Sequence, residues 1–296
     1  MPTRVDLATM AVGIVAVSTS GPLMAATAAP ALAIAFWRNA MSSAVLVPWT
    51  LLRRRQELFS LSGRDRRLAL VAGLFLAAHF ATWVPSLTFT SVASATALVS
   101  TQPVWAALLA RRAGARIARL AWVGIAVAVC GAIVLTGADL HASARSLTGD
   151  LLALAGGASA AAYMVAGSAV RQHVSTVTYT TVCYTTTALL LLVTCLVAGS
   201  DLSGYPASAW ARLVAVTVGA QFLGHTLFNR VLRTVSPTMV SLAILFEVPG
   251  AALVAAVFLG QTPPLSALPG LAMLLAGIAV VVAARDRRTA PSLPVE

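Results

Sequence analysis

Long apolar runs separated by short polar or arginine-rich gaps make up almost the whole chain. A helix needs about 20 mostly apolar residues to cross the hydrocarbon core of a bilayer, and that length divides the runs. Leu7 to Trp37 contains no Asp, Glu, Lys or Arg. It is too long for one span and too short for two, and Pro30 marks the turn. The pattern predicts spans over 7–27 and 31–52, the second carrying Arg38. Leu68 to Ala110 is equally free of charge, and the polar stretch Thr88-Phe89-Thr90-Ser91 divides it into spans 68–88 and 92–110. Further spans fall near 120–138, 149–170, 177–199, 210–230, 236–259 and 265–284, which brings the expected total to ten. The first is not expected to be a cleaved signal peptide: its positive region is weak, it is too long, and more spans follow at once.

Composition narrows the class. Of 296 residues, 59% are hydrophobic and 10% charged, with a mean hydropathy of +0.88. A soluble domain carries about 25% charged residues. This balance argues against a cytosolic enzyme, a secreted module, a disordered tail and a fibrous protein, and leaves an all-α membrane protein embedded in a lipid bilayer.

The net charge is +11 and every basic residue is Arg. Such a balance can signal a nucleic-acid partner, but these arginines lie in the gaps between apolar runs. That placement is a topology signal, and no nucleic acid is expected. With both termini cytoplasmic, seventeen arginines fall on the inner side and two, Arg145 and Arg212, on the outer, with Arg38 inside the membrane.

The chain also matches itself. A shift of 146 residues places Gly124 on Gly270, Gly131 on Gly277, Pro103 on Pro249, Gly73 on Gly219 and His79 on His225. Near the start of each half a shift of 144 places Asp6-Leu7 on Asp150-Leu151 and Gly13 on Gly157. Two units follow, 1–138 and 139–285, with a short cytoplasmic tail over 286–296. Five spans per unit is odd, so the second unit enters the membrane inverted, the arrangement of many secondary transporters, whose substrate sits near the midplane between the halves.

These features resemble a ten-helix EamA-type transporter of the drug/metabolite transporter superfamily. The resemblance rests on Ser94–Pro103, on Gly149-Asp150-Leu151-Leu152-Ala153-Leu154, on Tyr163–Arg171, and on Glu247-Val248-Pro249 followed by Leu259-Gly260. Gly124, Gly131, Gly270 and Gly277 look like the glycines of the last helix in each unit. Two positions depart from the pattern: Gln261 stands where Glu is common, and Arg111-Arg112 where Glu-Arg is common. The resemblance implies transport of a small metabolite, often export. It also implies a pathway between spans 1, 3, 4, 6, 8 and 9, with spans 2 and 7 outside and spans 5 and 10 packed at one end.

Polar residues inside the spans are few, and a charged one at the bilayer centre costs about 2.5–3.5 kcal/mol on insertion scales, so each is expected to face protein or water. Glu247 lies about eleven residues into its span and is read as the only carboxylate deep in the membrane. It is expected either to bind a cationic group or a proton, or to brace helices. His79, with Trp83 one turn on, and the stripe Gln221, His225 and Asn229 are expected to line the substrate pathway, together with Gln102. Arg38 is expected to snorkel to the interface, to attract an anion or to pair with Glu247. Ser18-Thr19-Ser20-Gly21-Pro22 interrupts span 1, and Gly21, Pro22, Pro103 and Pro249 are candidate gate or helix-break positions. Gly124, Gly131, Gly270 and Gly277 are expected to allow close helix packing.

Cys130, Cys183 and Cys195 all lie in apolar runs and read as buried thiols; no Cys/His spacing suits a metal, and no cofactor motif is present. The chain has no HExxH, GxSxG or Walker A motif and no intramembrane Asp pair. The expectation is therefore a secondary transporter, not an enzyme. It moves a small solute, an amino acid or drug-like cation, across the cell membrane by alternating access, with protons as the candidate coupling ion. A passive channel is the alternative, with a membrane-embedded enzyme behind it, and a homodimer is compatible with the composition.

Overall fold

The computed structural model describes residues 3–114, 116–224, 227, 231 and 243–289. Among them the chain is helical throughout, without strands. Its elements are α1 (Arg4–Ser18), α2 (Ser20–Ala25), α3 (Ala31–Arg53), α4 (Arg55–Phe59), α5 (Gly63–Ser86), α6 (Val92–Val99), α7 (Gln102–Arg112), α8 (Arg119–Ala142), α9 (Ala144–Val170), α10 (Thr176–Val197) and α11 (Ala207–Val216). A π-helical segment (Thr217–Gly224), α12 (Glu247–Leu259), a short 3₁₀ turn (Leu265–Ala267) and α13 (Leu268–Thr289) complete it. Seven stretches are long and apolar enough to span a membrane, and Arg119–Leu135 and Glu247–Leu259 are shorter apolar helices.

Serine chemistry marks the turns. Ser62, Ser91, Ser143 and Ser175 each precede a helix, and each side chain accepts a hydrogen bond from a backbone N–H of the first turn. Such caps satisfy donors that a helix leaves orphaned. The cap at Ser143 changes one expectation. Instead of a loop over 139–145, α8 continues to Ala142 and α9 starts at Ala144.

Two spans are broken, for a stated reason in each case. Pro22 has no N–H for the Ser18 carbonyl, and the helix divides at Thr19 between α1 and α2. Pro103 removes the donor for the Val99 carbonyl, and span 4 divides at Ser100-Thr101 into α6 and α7. There Thr101 Oγ1 donates to the Leu98 carbonyl at 2.6 Å and accepts from Trp105 Nε1 at 3.1 Å. Irregular backbone at membrane depth is tolerated when protein satisfies it in this way.

The helix pairs follow the internal repeat. α3 packs on α10, α6 on α12 and α8 on α13, each pair joining equivalent spans of the two halves. α5 packs on α9, and α1 packs on the π segment. Those two contacts (span 3 with span 6, span 8 with span 1) exchange under the same operation.

Glycine sets the closest approach. A Cβ on Gly124 would lie 2.8 Å from the Gly277 carbonyl oxygen, and one on Gly277 2.6 Å from the Gly124 oxygen. Gly131 and Gly270 face the backbone of Leu274 and Leu135 in the same way. Lipid tails are as apolar as leucine, so helices associate here by close van der Waals contact at small residues.

Loops join on two faces. On the arginine-rich face, the Glu57 carboxylate accepts from Ser175 N–H at 2.6 Å, Ser175 Oγ at 2.7 Å and Thr178 Oγ1 at 2.8 Å, with Arg54 at 3.9 Å. On the other face, Arg145 donates to the Thr88 carbonyl, Arg212 to the Ala26 carbonyl, and Trp37 Nε1 to the Leu202 carbonyl. Gln261 Oε1 accepts from the Val92 N–H at 3.2 Å, on that same face. The position where relatives commonly carry Glu thus holds the start of α6.

Two outcomes are expected. Gly277→Leu forces α8 and α13 apart, and the thermal midpoint of the purified protein falls by several degrees, whereas Gly63→Ala, at the exposed start of α5 with open space around it, shifts it little. Partial burial alone raises the pKa of Glu57, but the hydrogen bonds from Ser175 and Thr178 outweigh this and hold it below the ordinary carboxylate range. The stability it contributes is therefore present above that range and lost as pH falls through the lowered value. Glu57→Gln should cost about 1 kcal/mol near neutral pH. Thermal melts of variant and wild type should converge under acid.

Candidate functional site

Arg38 does not snorkel. It lies seven residues from the start of α3, about 10 Å at 1.5 Å per residue, and is only 4% exposed. Its Nε donates to Gln221 Oε1 at 3.1 Å, one terminal nitrogen donates to Met24 Sδ at 3.4 Å, and the guanidinium sits 4.5 Å over the Phe80 ring. The weak hydration and flat face of guanidinium suit such a place better than an ammonium would. Glu247 is close enough to interact with this charge, yet among the described residues only Arg54 and Glu57 come within 4.0 Å as an ion pair. The direct Arg38–Glu247 pair considered from sequence does not form.

His79 lies seven residues from the end of α5, at matching depth on the same side. Its ring stacks on Trp83 at 5.4 Å, meets Phe80 edge-on at 4.8 Å, and Nδ1 lies 3.0 Å from the Gly156 carbonyl on α9. Gly156 leaves room for this, since a Cβ there would meet Trp83 at 3.1 Å. Tyr184 on α10 lies beside Arg38 and Gln221, and Tyr163 on α9 lies against Tyr179 and Tyr184. His79, Tyr163, Tyr184 and Glu247 all face protein, yet each keeps intermediate solvent exposure.

Glu247 begins α12, directly after a turn at Leu245-Phe246. It is twelve residues from Leu259, about 18 Å, which is near mid-membrane. Pro249 follows in the first helical turn, where a missing N–H is harmless. Asp150, in the second turn of α9, is a second buried carboxylate, 0% exposed, but it lies at the level of the 3–4 loop, where its neighbour Gly149 abuts Phe89 and Thr90.

The remaining candidates divide. Gln221 belongs to the cluster, 4% exposed; His225 and Asn229 lie outside the described residues. Gln102 opens α7, half-buried, on a helix that packs against α9 and α13. Gly21 faces Thr96, whose Oγ1 would lie 3.3 Å from an added Cβ. Gly250, next to Pro249, abuts the Ser18 hydroxyl.

Sequence reasoning missed Met24, Phe80, Tyr163 and Tyr184. It also placed spans 2 and 7 outside the centre, whereas Arg38 on α3 and Tyr184 on α10 reach it. The threonine-rich run of α10 hid this. Thr180, Thr181, Thr186, Thr187 and Thr194 donate to carbonyls four residues back, so those hydroxyls are satisfied locally and the informative side chains are the tyrosines between them.

The arrangement defines a multi-pass helical membrane protein with a charged, aromatic centre shared between two halves. The sequence matches the EamA-like transporter family over residues 6–137 and 147–283. The chain belongs to that family, whose members are multi-pass membrane transporters of the drug/metabolite superfamily. A solved crystal structure shares its fold with a TM-score of 0.64 at 20% identity, covering 95% of this chain and 98% of that one. No curated protein matches it.

Proposed function

We propose that this chain is a secondary active exporter of a small metabolite, working by alternating access through the centre formed by Arg38, His79, Trp83, Gln221 and Glu247. One observation carries the reading: charged and aromatic side chains from both halves converge at a depth where lipid would otherwise exclude them. A carrier needs such a centre at the interface of two units that can rock against each other. The residues Gly21, Pro22, Pro103 and Pro249 lie at breaks or helix starts around it and act as hinges in this reading.

Glu247 is the proposed coupling group, exchanging a proton against substrate. Measured in proteoliposomes with and without a pH gradient, Glu247→Gln should abolish gradient-driven flux and leave solute exchange partly intact. Unchanged gradient-driven flux in the folded variant removes the coupling role. Saturation and counterflow separate this carrier from a passive channel, which shows neither.

Both termini are proposed to be cytoplasmic. The arginine asymmetry supports this; the loop contacts place the 2–3 loop with the 6–7 loop on one face and the 3–4 loop with the start of α9 on the other. A reporter active only outside the cytoplasm should be silent after Glu296 and active when inserted at Ser203, in the exposed loop after α10. The reverse pattern overturns the orientation.

A further inference from the structure

The donors around Arg38 outnumber their acceptors. Arg carries five N–H donors in a fixed fork. Among the described residues two of its nitrogens are engaged, one with a neutral amide oxygen and one with a thioether. Gln221 turns its oxygen to Arg38, so its Nε2 points elsewhere, and Nε2 is buried without a hydrogen-bond partner. Tyr184 approaches Gln221 without satisfying that nitrogen. Trp83 Nε1 is a further buried donor with no partner, in the same aromatic group. A buried N–H left unpaired costs about 1–3 kcal/mol, and a buried cation without a contacting carboxylate costs more. An anionic acceptor complements the whole set, because it meets the neutral donors and the guanidinium charge together.

We infer that Arg38 and Gln221 form a carboxylate-binding subsite, and that the transported solute is amphoteric, its carboxylate on Arg38 and its cationic group toward Glu247. This rests on the transport reading above and narrows its substrate class. Glu247 lies deeper than Arg38 and within range of its charge, so a purely anionic solute meets repulsion at one end and a purely cationic one at the other. Phe80, Trp83, Tyr163 and Tyr184 supply flat apolar faces for the body between. Guanidinium and carboxylate pair with two parallel hydrogen bonds, which gives this end geometric selectivity as well as charge.

The test uses purified full-length protein in detergent and matched pairs that differ only in the carboxylate: phenylalanine and phenylalaninamide, 4-aminobutyrate and 4-aminobutanamide, benzoate and benzamide. Binding is read by tryptophan fluorescence and by thermal shift. In at least one amphoteric pair the carboxylate should bind about tenfold more tightly than its amide, and benzoate should gain less. Arg38→Gln should erase the preference, Arg38→Lys should keep part of it, and Gln221→Leu should reduce it with the charge in place. Absence of a carboxylate preference in every pair with wild-type protein overturns the subsite, as does a preference that survives Arg38→Gln or is undiminished by Gln221→Leu. Flux measured in parallel separates the two claims. Carboxylate-selective binding without saturable flux removes the transport reading and leaves the subsite, whereas saturable flux without selectivity does the opposite.

Discussion

A polar group in hydrocarbon finds no water, and the rest of this structure follows from that constraint. It forces the backbone into helices, since only there are all amide groups satisfied within one segment. It also forces the few intramembrane charges away from lipid. Arg38 is the clearest case. Seven residues from a helix end, its side chain is long enough to reach the interface, yet it turns inward onto Phe80 and Gln221. The interior must therefore offer more than the headgroup region does. Aromatic faces, an amide oxygen and the field of Glu247 together make that offer, and they come from helices of both halves.

Packing obeys the same constraint from the other side. Between apolar helices in lipid there is no hydrophobic gain, so contact depends on how near two backbones can come. Gly124 against Gly277 and Gly131 against Leu274 show the limit, with no room for a methyl group. The repeat and the packing are linked here: the four glycines that align as Gly124 with Gly270 and Gly131 with Gly277 meet crosswise in space, Gly124 against Gly277 and Gly131 against Gly270.

Much of the fold was legible in the sequence because hydrophobic length is a strong signal. Spans over 31–52 and 265–284, and the starts expected at 92 and 177, came out within a few residues of the helices. The sequence places the start of α9 five residues late, at 149, because the stretch over 139–145 reads as loop, whereas Ser143 caps a helix that begins at Ala144. The site was only partly legible. His79 with Trp83 could be seen as an i, i+4 pair on one face. Tyr184 could not, because helical periodicity gives no inside or outside to a span that is apolar or threonine-rich all round. Which face of α10 looks inward is decided by its contacts with α3 and α5, and those depend on the whole bundle.

The broken helices connect the buried charge to movement. α1 and α2 part at Thr19, α6 and α7 part at Ser100-Thr101, and α12 begins at Glu247 after a turn. All three discontinuities lie on helices that touch: α12 packs on α1, α2 and α6, and α2 packs on α6. A continuous helix resists bending because every turn is hydrogen-bonded to the next, whereas a break concentrates rotation at a few residues. With Glu247 at such a junction, the proposed change in its charge would act directly on the joint, not through a rigid rod. In the proposed cycle the carboxylate that exchanges its proton and the turn at Leu245-Phe246 are consecutive in the chain, so little structure is needed to link them.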